Sequence, residues 1–291
     1  MIRGVVVFFA LASIGTAGCS GIGDLPSPGI LAGQRLNADA VTGSWISPDA
    51  KGGGLVYVTS ATQVNVYTWP KLRRAGVLEG FQFANAACAD SAGDVWIADF
   101  ETRRLYEYLH GGTAPVATLD DTPNFPMSCA VDKRSGDLAV GNTYSDGLGK
   151  GSVTLFEHAG GSGTAYYSSS FFDVFGIGYE PSGAVYLAGW TGSAFTMASF
   201  SHKQFTTIGI QGATLKYPGG VQYADGALTV ADAGNTITNT VIYRITNQGV
   251  VLGKTVLGDG YQAPGYEIVK NKLVWACYEE RQVQLYDYPA G

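Results

Sequence analysis

Three oxygen-bearing side chains stand at the same point of a recurring sequence unit. Asp99, Asn142 and Asp232 close the short apolar runs VWIAD, LAVGN and ALTVAD. Carboxylate and amide oxygens are what a hard cation such as calcium takes, so a shared rim would make these three a ligand set. The same side chains have a plainer use, because Asp and Asn readily bond the backbone of the loop that follows them. Glu267 in GYEIV and its counterpart Gln222 in PGGVQ add a carboxylate and an amide in later units. Trp190 and Tyr261 offer flat apolar faces with polar edges, the chemistry that a glycan or a peptide needs beside a few oriented acceptors.

The histidines point away from catalysis. His110, His158 and His202 each lie two residues after an aromatic, Tyr108, Phe156 and Phe200. They therefore occupy equivalent turns of separate units and are not expected to meet in a triad or at a metal. Asp49, Asp90, Asp132 and Asp225 precede glycines in Asp-x-x-Gly or Asp-Gly pieces and read as turn residues. GLGKGS at 147–152 lacks the pattern of a phosphate loop and precedes a strand rather than a helix.

The elements that position these residues follow from a repeat. The apolar residues Val56, Val95, Leu138, Val185, Leu228 and Leu273 recur at spacings of 39, 43, 47, 43 and 45. A second column, Tyr67, Tyr108, Phe156, Phe200, Ile245 and Tyr286, keeps step with the first. Each unit reads strand, turn, strand, loop, strand, turn, and a period of ~40–45 with four strands is the pattern of a propeller blade. The expected fold is an all-β, six-bladed propeller with four-stranded blades over 42–291. The blades fall at about 42–80, 81–121, 122–170, 171–212, 213–259 and 260–291. The sixth unit lacks its outer strand, and residues between Ile30 and Asp39 are expected to supply it, since an unpaired edge invites aggregation. In such a ring the ends of the second strands and the connections between blades share one face. Asp99, Asn142, Trp190, Asp232, Tyr261 and Glu267 are accordingly the candidate ligand-binding residues at its channel mouth.

Composition agrees with this architecture. Gly is abundant (41 residues), and charged residues make up only 14% of the chain, against about 25% in an ordinary soluble domain. A net charge of −6 argues against nucleic acid, which calls for a basic stripe.

Arg3 followed by the apolar stretch to Gly15 reads as a signal peptide over 1–18, too short to span a bilayer. Thr16-Ala17-Gly18-Cys19 resembles a bacterial lipobox with Cys19 as the lipid-bearing residue, and 19–41 reads as a tether. The expected location is the exported, lipid-anchored cell envelope, with a periplasmic or secreted soluble protein as the alternative. Of the remaining cysteines, Cys88 and Cys129 occupy nearly the same repeat position in adjacent units and could be bridged. Buried thiols are the other reading.

The pieces ACADSAGDVWIADFETRRLYEY and CAVDKRSGDLAVGN resemble NHL-type repeats and blades of the gluconolactonase-like superfamily of six-bladed propellers. They are also similar to a group of bacterial lipoprotein propellers. That superfamily includes calcium-dependent lactonases, whose first blade opens with a metal-binding Glu before Gly-Pro. This chain has Thr42-Gly43-Ser44-Trp45 there, without the Glu. The expectation is therefore a non-catalytic binding or scaffolding propeller, without a cofactor, monomeric and touching the membrane only through its lipid. Its partner would be a glycan, a peptide or an envelope protein. The alternative is a calcium-dependent lactonase or hydrolase using Asp99, Asn142 and Asp232, with Glu267 beside them.

Overall fold

The computed structural model describes residues 5–8, 31–35, 43–144, 149–234, 240–257, 265–277 and 282–289. β1 (Val5–Phe8) and β2 (Leu31–Arg35) come from the N-terminal segment. β1 belongs to a first sheet with β3 (Trp45–Ile46), β4 (Gly54–Trp69), β5 (Arg74–Ala89), β6 (Val95–Asp99), β7 (Arg104–Tyr108) and β8 (Ala117–Asp120). The second sheet holds β9 (Phe125–Val131), β10 (Leu138–Thr143), β11 (Ser152–Phe156) and β12 (Thr164–Tyr167). The third holds β13 (Asp173–Tyr179), β14 (Val185–Trp190), β15 (Phe195–Ser201) and β16 (Gln204–Ile208). The fourth holds β17 (Pro218–Ala224), β18 (Ala227–Asp232), β19 (Val241–Ile245) and β20 (Val251–Val256). In the fifth, β21 (Tyr266–Val269), β22 (Lys272–Cys277) and β23 (Gln282–Asp287) are completed by β2, which pairs antiparallel with β23 at the outer edge.

Four-stranded blades are thus present, but there are five, not six. The units expected at 42–80 and 81–121 are one seven-stranded sheet. β4 and β5 each run for sixteen residues, and no glycine or proline interrupts 55–69. Ala84, placed beyond the expected boundary at Gly80, pairs with Ala61 on β4 and with Asp99 on β6, so pairing joins both units across a register shift between Glu79 and Ala84.

From the second unit on, the two repeat columns are cross-strand partners, whereas Val56 and Tyr67 share β4. Val95 faces Tyr108, Leu138 faces Phe156, Val185 faces Phe200, Leu228 faces Ile245 and Leu273 faces Tyr286. All ten are buried, and each is worth about 1.5–3 kcal/mol of apolar transfer. Second strands such as β6, β10 and β18 are buried along their whole length. This is why they read as continuous apolar runs rather than alternating ones. The cores lie between neighbouring sheets. Trp96 and Leu105 pack with Met127 and Leu138, and Tyr186 and Met197 pack with Val221 and Leu228. Val56 and Tyr67 of the first sheet pack with Trp275 and Leu285 of the last, which closes the ring.

Inner strands approach closely at β13 and β17. A Cβ on Gly176 would sit 1.9 Å from the Gly219 carbonyl oxygen, so only glycine fits. A disulfide joins Cys88 on β5 to Cys129 on β9, with Cα atoms 5.7 Å apart, and ties the first sheet to the second.

Candidate functional site

Asp99, Asp232 and Asn142 each make their hydrogen bonds to neighbouring backbone or side chains. Asp99 is fully buried. Its Oδ2 accepts from the Gln82 N–H (2.8 Å), and its Oδ1 from the N–H groups of Phe83 (2.9 Å) and Thr102 (3.3 Å). Asp232 does the same on the fourth sheet, its Oδ1 accepting from Lys216 N–H (2.9 Å) and Tyr217 N–H (2.7 Å). Burial raises the Asp232 carboxyl, while those backbone donors pull it down. Asp99 holds the backbone of β5 at 82–83 against the loop after β6, and Asp232 holds the connection that enters β17. Asn142 donates through Nδ2 to Ser152 Oγ (3.1 Å) and Thr154 Oγ1 (3.0 Å).

Asn142 belongs to a sealed network that its sequence context did not reveal. Thr154 Oγ1 donates to Asp121 Oδ1 (2.7 Å), Asn124 Nδ2 donates to the same oxygen (3.1 Å), and Tyr167 OH donates to Asn124 Oδ1 (3.1 Å). Burial pushes the Asp121 carboxyl up to about 7, against the opposing pull of Thr154, Asn124 and Asn142. The polar run DDTPN ahead of β9 was the available signal.

Aromatic side chains gather on this same face. Phe83, Phe100, Phe125 and Tyr144 form a chain of ring contacts at 6.1, 5.0 and 6.5 Å between centroids, and the Arg103 guanidinium lies 4.1 Å over Phe125. Trp190 packs on Phe195 (4.7 Å), which meets Tyr217 (5.5 Å), and Tyr217 stacks on Phe175 (5.6 Å). Phe100 and Phe175 pack on one buried cluster, so the two groups form an arc. Tyr144 (53% exposed) and Phe172 (46%) stand out from the face. Neither was singled out by its repeat position.

Glu267 is placed elsewhere. It lines an axial cavity of about 330 Å³ walled by inner strands of all five sheets. The lining takes in the ends of β9 and β13 and the turns after them, Asp132 to Arg134 and Glu180 to Pro181. The cavity therefore opens on the face of the Asp-x-x-Gly turns, opposite the Asp99 rim. Asp99, Asn142, Trp190 and Asp232 do not line it. Tyr261 and Cys19 lie outside the described residues.

Two of the histidines, His110 and His158, hold turns together. The His110 N–H donates to Asp94 Oδ1 (2.7 Å), and its Nε2 lies 2.8 Å from the Gly53 carbonyl oxygen. His158 repeats the arrangement, its N–H donating to Asp137 Oδ1 (2.8 Å) and its Nδ1 lying 2.8 Å from the Ser135 carbonyl oxygen. The Gly-Asp pairs 93–94 and 136–137 were the sequence signal for these clamps. Among the described residues, no three His, Cys, Asp or Glu side chains gather as a metal site.

Fold and site together define an all-β propeller of four-stranded blades with an axial cavity and an aromatic face. No family model and no curated protein matches the chain, and the NHL-type resemblance therefore has no matching model behind it. Among solved structures the chain is similar to one in the crystal structure of a nidogen/laminin complex. The TM-score is 0.61 at 13% identity, over 80% of this chain and 88% of that one. At that identity the likeness carries the fold alone.

Proposed function

We propose that the chain is a non-catalytic binding propeller of the bacterial cell envelope that docks a protein partner on its aromatic face. The aromatic arc carries this reading. A glycan or a peptide could also lie on such rings. However, an arginine stacked on Phe125 beside the exposed Tyr144 is the residue chemistry of protein–protein hot spots. Asp99 and Asp232 serve backbone capping and Asp121 is held by Thr154 and Asn124, which leaves recognition to the rings.

On this reading the lipobox-like Thr16-Ala17-Gly18-Cys19 anchors a monomer by its N-terminus. Cleavage before Cys19 would remove β1 and leave β4 as the inner edge of the first sheet, while β2 would stay to close the last. Intact mass of protein from an envelope fraction tests the anchor. An acylated chain starting at Cys19 supports it, and an unmodified chain starting elsewhere overturns it.

A photo-crosslinking residue at position 144, in cells, tests the partner. One dominant protein adduct, lost when Phe172 is changed to Ala and absent with the crosslinker at the outer-strand position Val256, is the expected result. Equal labelling from both positions would overturn the assignment. The calcium-dependent hydrolase alternative has less support, because Asp99 and Asp232 already accept two or three backbone hydrogen bonds each.

A further inference from the structure

The axial cavity is chemically unlike the aromatic face and asks for a different occupant. Its walls are built largely of small residues such as Ala87 and Gly176, which leave room on the axis for about 330 Å³. That is the lower end of the size range of small-molecule sites.

Its depth is acidic and pre-arranged. Gln222 on β17 is pinned to the neighbouring β21: its Oε1 accepts from the Ile268 N–H (2.8 Å), and its Nε2 donates to the Ile268 carbonyl (3.1 Å). The same Nε2 donates to Glu267 Oε1 (3.0 Å). Thr229 donates to the Gln222 carbonyl (2.9 Å) and receives the Tyr266 hydroxyl (2.6 Å), so the support extends into the core. One oxygen of Glu267 is thereby fixed, and among the described residues no donor reaches the other. Burial raises this carboxyl to about 7, although Lys133 pulls it down. Glu267 remains partly accessible because the cavity reaches it.

The mouth is basic. Lys133 and Arg134 are exposed on the turn after β9 and line the opening. Arg134 is 3.7 Å from Asp132, and Lys133 forms no direct ion pair among the described residues. Tyr179 and Tyr223 line the wall between depth and mouth. Lys133 is thus the charge at the rim without an ion pair among the described residues, opposite in sign to Glu267 in the depth. A simple cation would meet Lys133 and Arg134, and a simple anion would meet Glu267.

We infer that the axial cavity is a binding site for a small zwitterion of the α-amino acid type. Its ammonium group donates to Glu267 in the depth, and its carboxylate faces Lys133 and Arg134 at the mouth. This site is independent of the protein-docking face, and either can fail without the other.

Thermal-shift and calorimetric titration of the whole folded chain with the free L-amino acids tests it. The N-acetyl and carboxamide derivatives of any amino acid that binds serve as controls. At least one free amino acid should raise the melting temperature, and blocking either end should weaken binding tenfold or more. Glu267→Gln should weaken it to a similar degree. Lys133→Ala, an exposed change that leaves the core intact, should weaken the free amino acid but not its carboxamide. Tyr144→Ala should leave binding unchanged. Absence of any shift with the wild-type chain would overturn the inference. So would an N-acetyl derivative that binds as well as the free amine, or a Lys133→Ala variant with unaltered affinity.

Discussion

Asp121 and Asn142 meet in a sealed site on the second blade, where Asp121 Oδ2 and Asn142 Oδ1 both lack a hydrogen-bond donor. A proton on Asp121 turns its unpartnered oxygen into a donor and spares the site a buried ionised carboxylate. Burial holds this carboxyl at about 7, above the ordinary carboxylate value near 3.9. The folded state therefore keeps a proton that the unfolded chain has lost, and stability falls as pH rises from about 4 to about 7. The slope from this group is at most about 1.4 kcal/mol per pH unit. Asp121→Asn supplies a permanent donor and should lose that component. Denaturant unfolding of both proteins at pH 4 to 8 should show curves that converge at low pH and separate at high pH, with the variant the more stable. Parallel curves would show that Asp121 is ionised in the fold.

The Cys88–Cys129 bond closes a chain segment of 41 residues between the first two sheets. Loop entropy alone makes such a link worth about 3–4 kcal/mol. The Cys88→Ala, Cys129→Ala double variant should unfold at a correspondingly lower denaturant concentration, and adding a reductant should lower the wild type to the same midpoint. A wild-type midpoint that ignores reductant would place the cysteines in the thiol state.

Asp94 and Asp137 clamp the turns that carry His110 and His158. Each carboxylate-to-backbone bond is worth about 1.5–3 kcal/mol. Asp94→Ala and Asp137→Ala should each lower stability by about that much, and the pair should be additive because the clamps sit on separate sheets. His110→Gln should cost less, since the backbone bond to Asp94 survives. The denaturant midpoint at constant m reads all three.

Asp99 holds three backbone N–H groups in a fully buried site. Asp99→Ala should destabilise by about 3 kcal/mol by leaving those donors without an acceptor. Added calcium should shift the melting temperature of neither the wild type nor the variant. A calcium-induced rise that Asp99→Ala abolishes would return this rim to the role of a cation site.

The strand grammar was legible because it is local. Val95 with Tyr108 and Leu138 with Phe156 could be assigned to paired columns from spacing alone, since a buried strand pair repeats its apolar partners at fixed offsets. The boundary between the first two units was not legible, because it depended on whether β4 and β5 would break or run on. Nothing in 55–69 punctuates the chain, and the Gly80 expected to do so did not end the pairing. For the site, repeat position placed Asp99 and Asp232 at a common rim but could not say where their lone pairs were spent. That depended on the N–H groups of 82–83 within β5 and of 216–217 in the connection before β17.

The residues by themselves determined an all-β chain of four-stranded units, because turn chemistry and apolar periodicity act over a few neighbours. Tertiary structure alone decided the count of five blades, the sealed acid at Asp121 and the placement of Glu267. Each rests on groups far apart in sequence: Ala84 between Ala61 and Asp99, Asp121 against Asn142 and Thr154, and Glu267 against Gln222 and Lys133. A carboxyl group's solvation and charge partners are set by what surrounds it in space, and the ring of sheets brought those surroundings together.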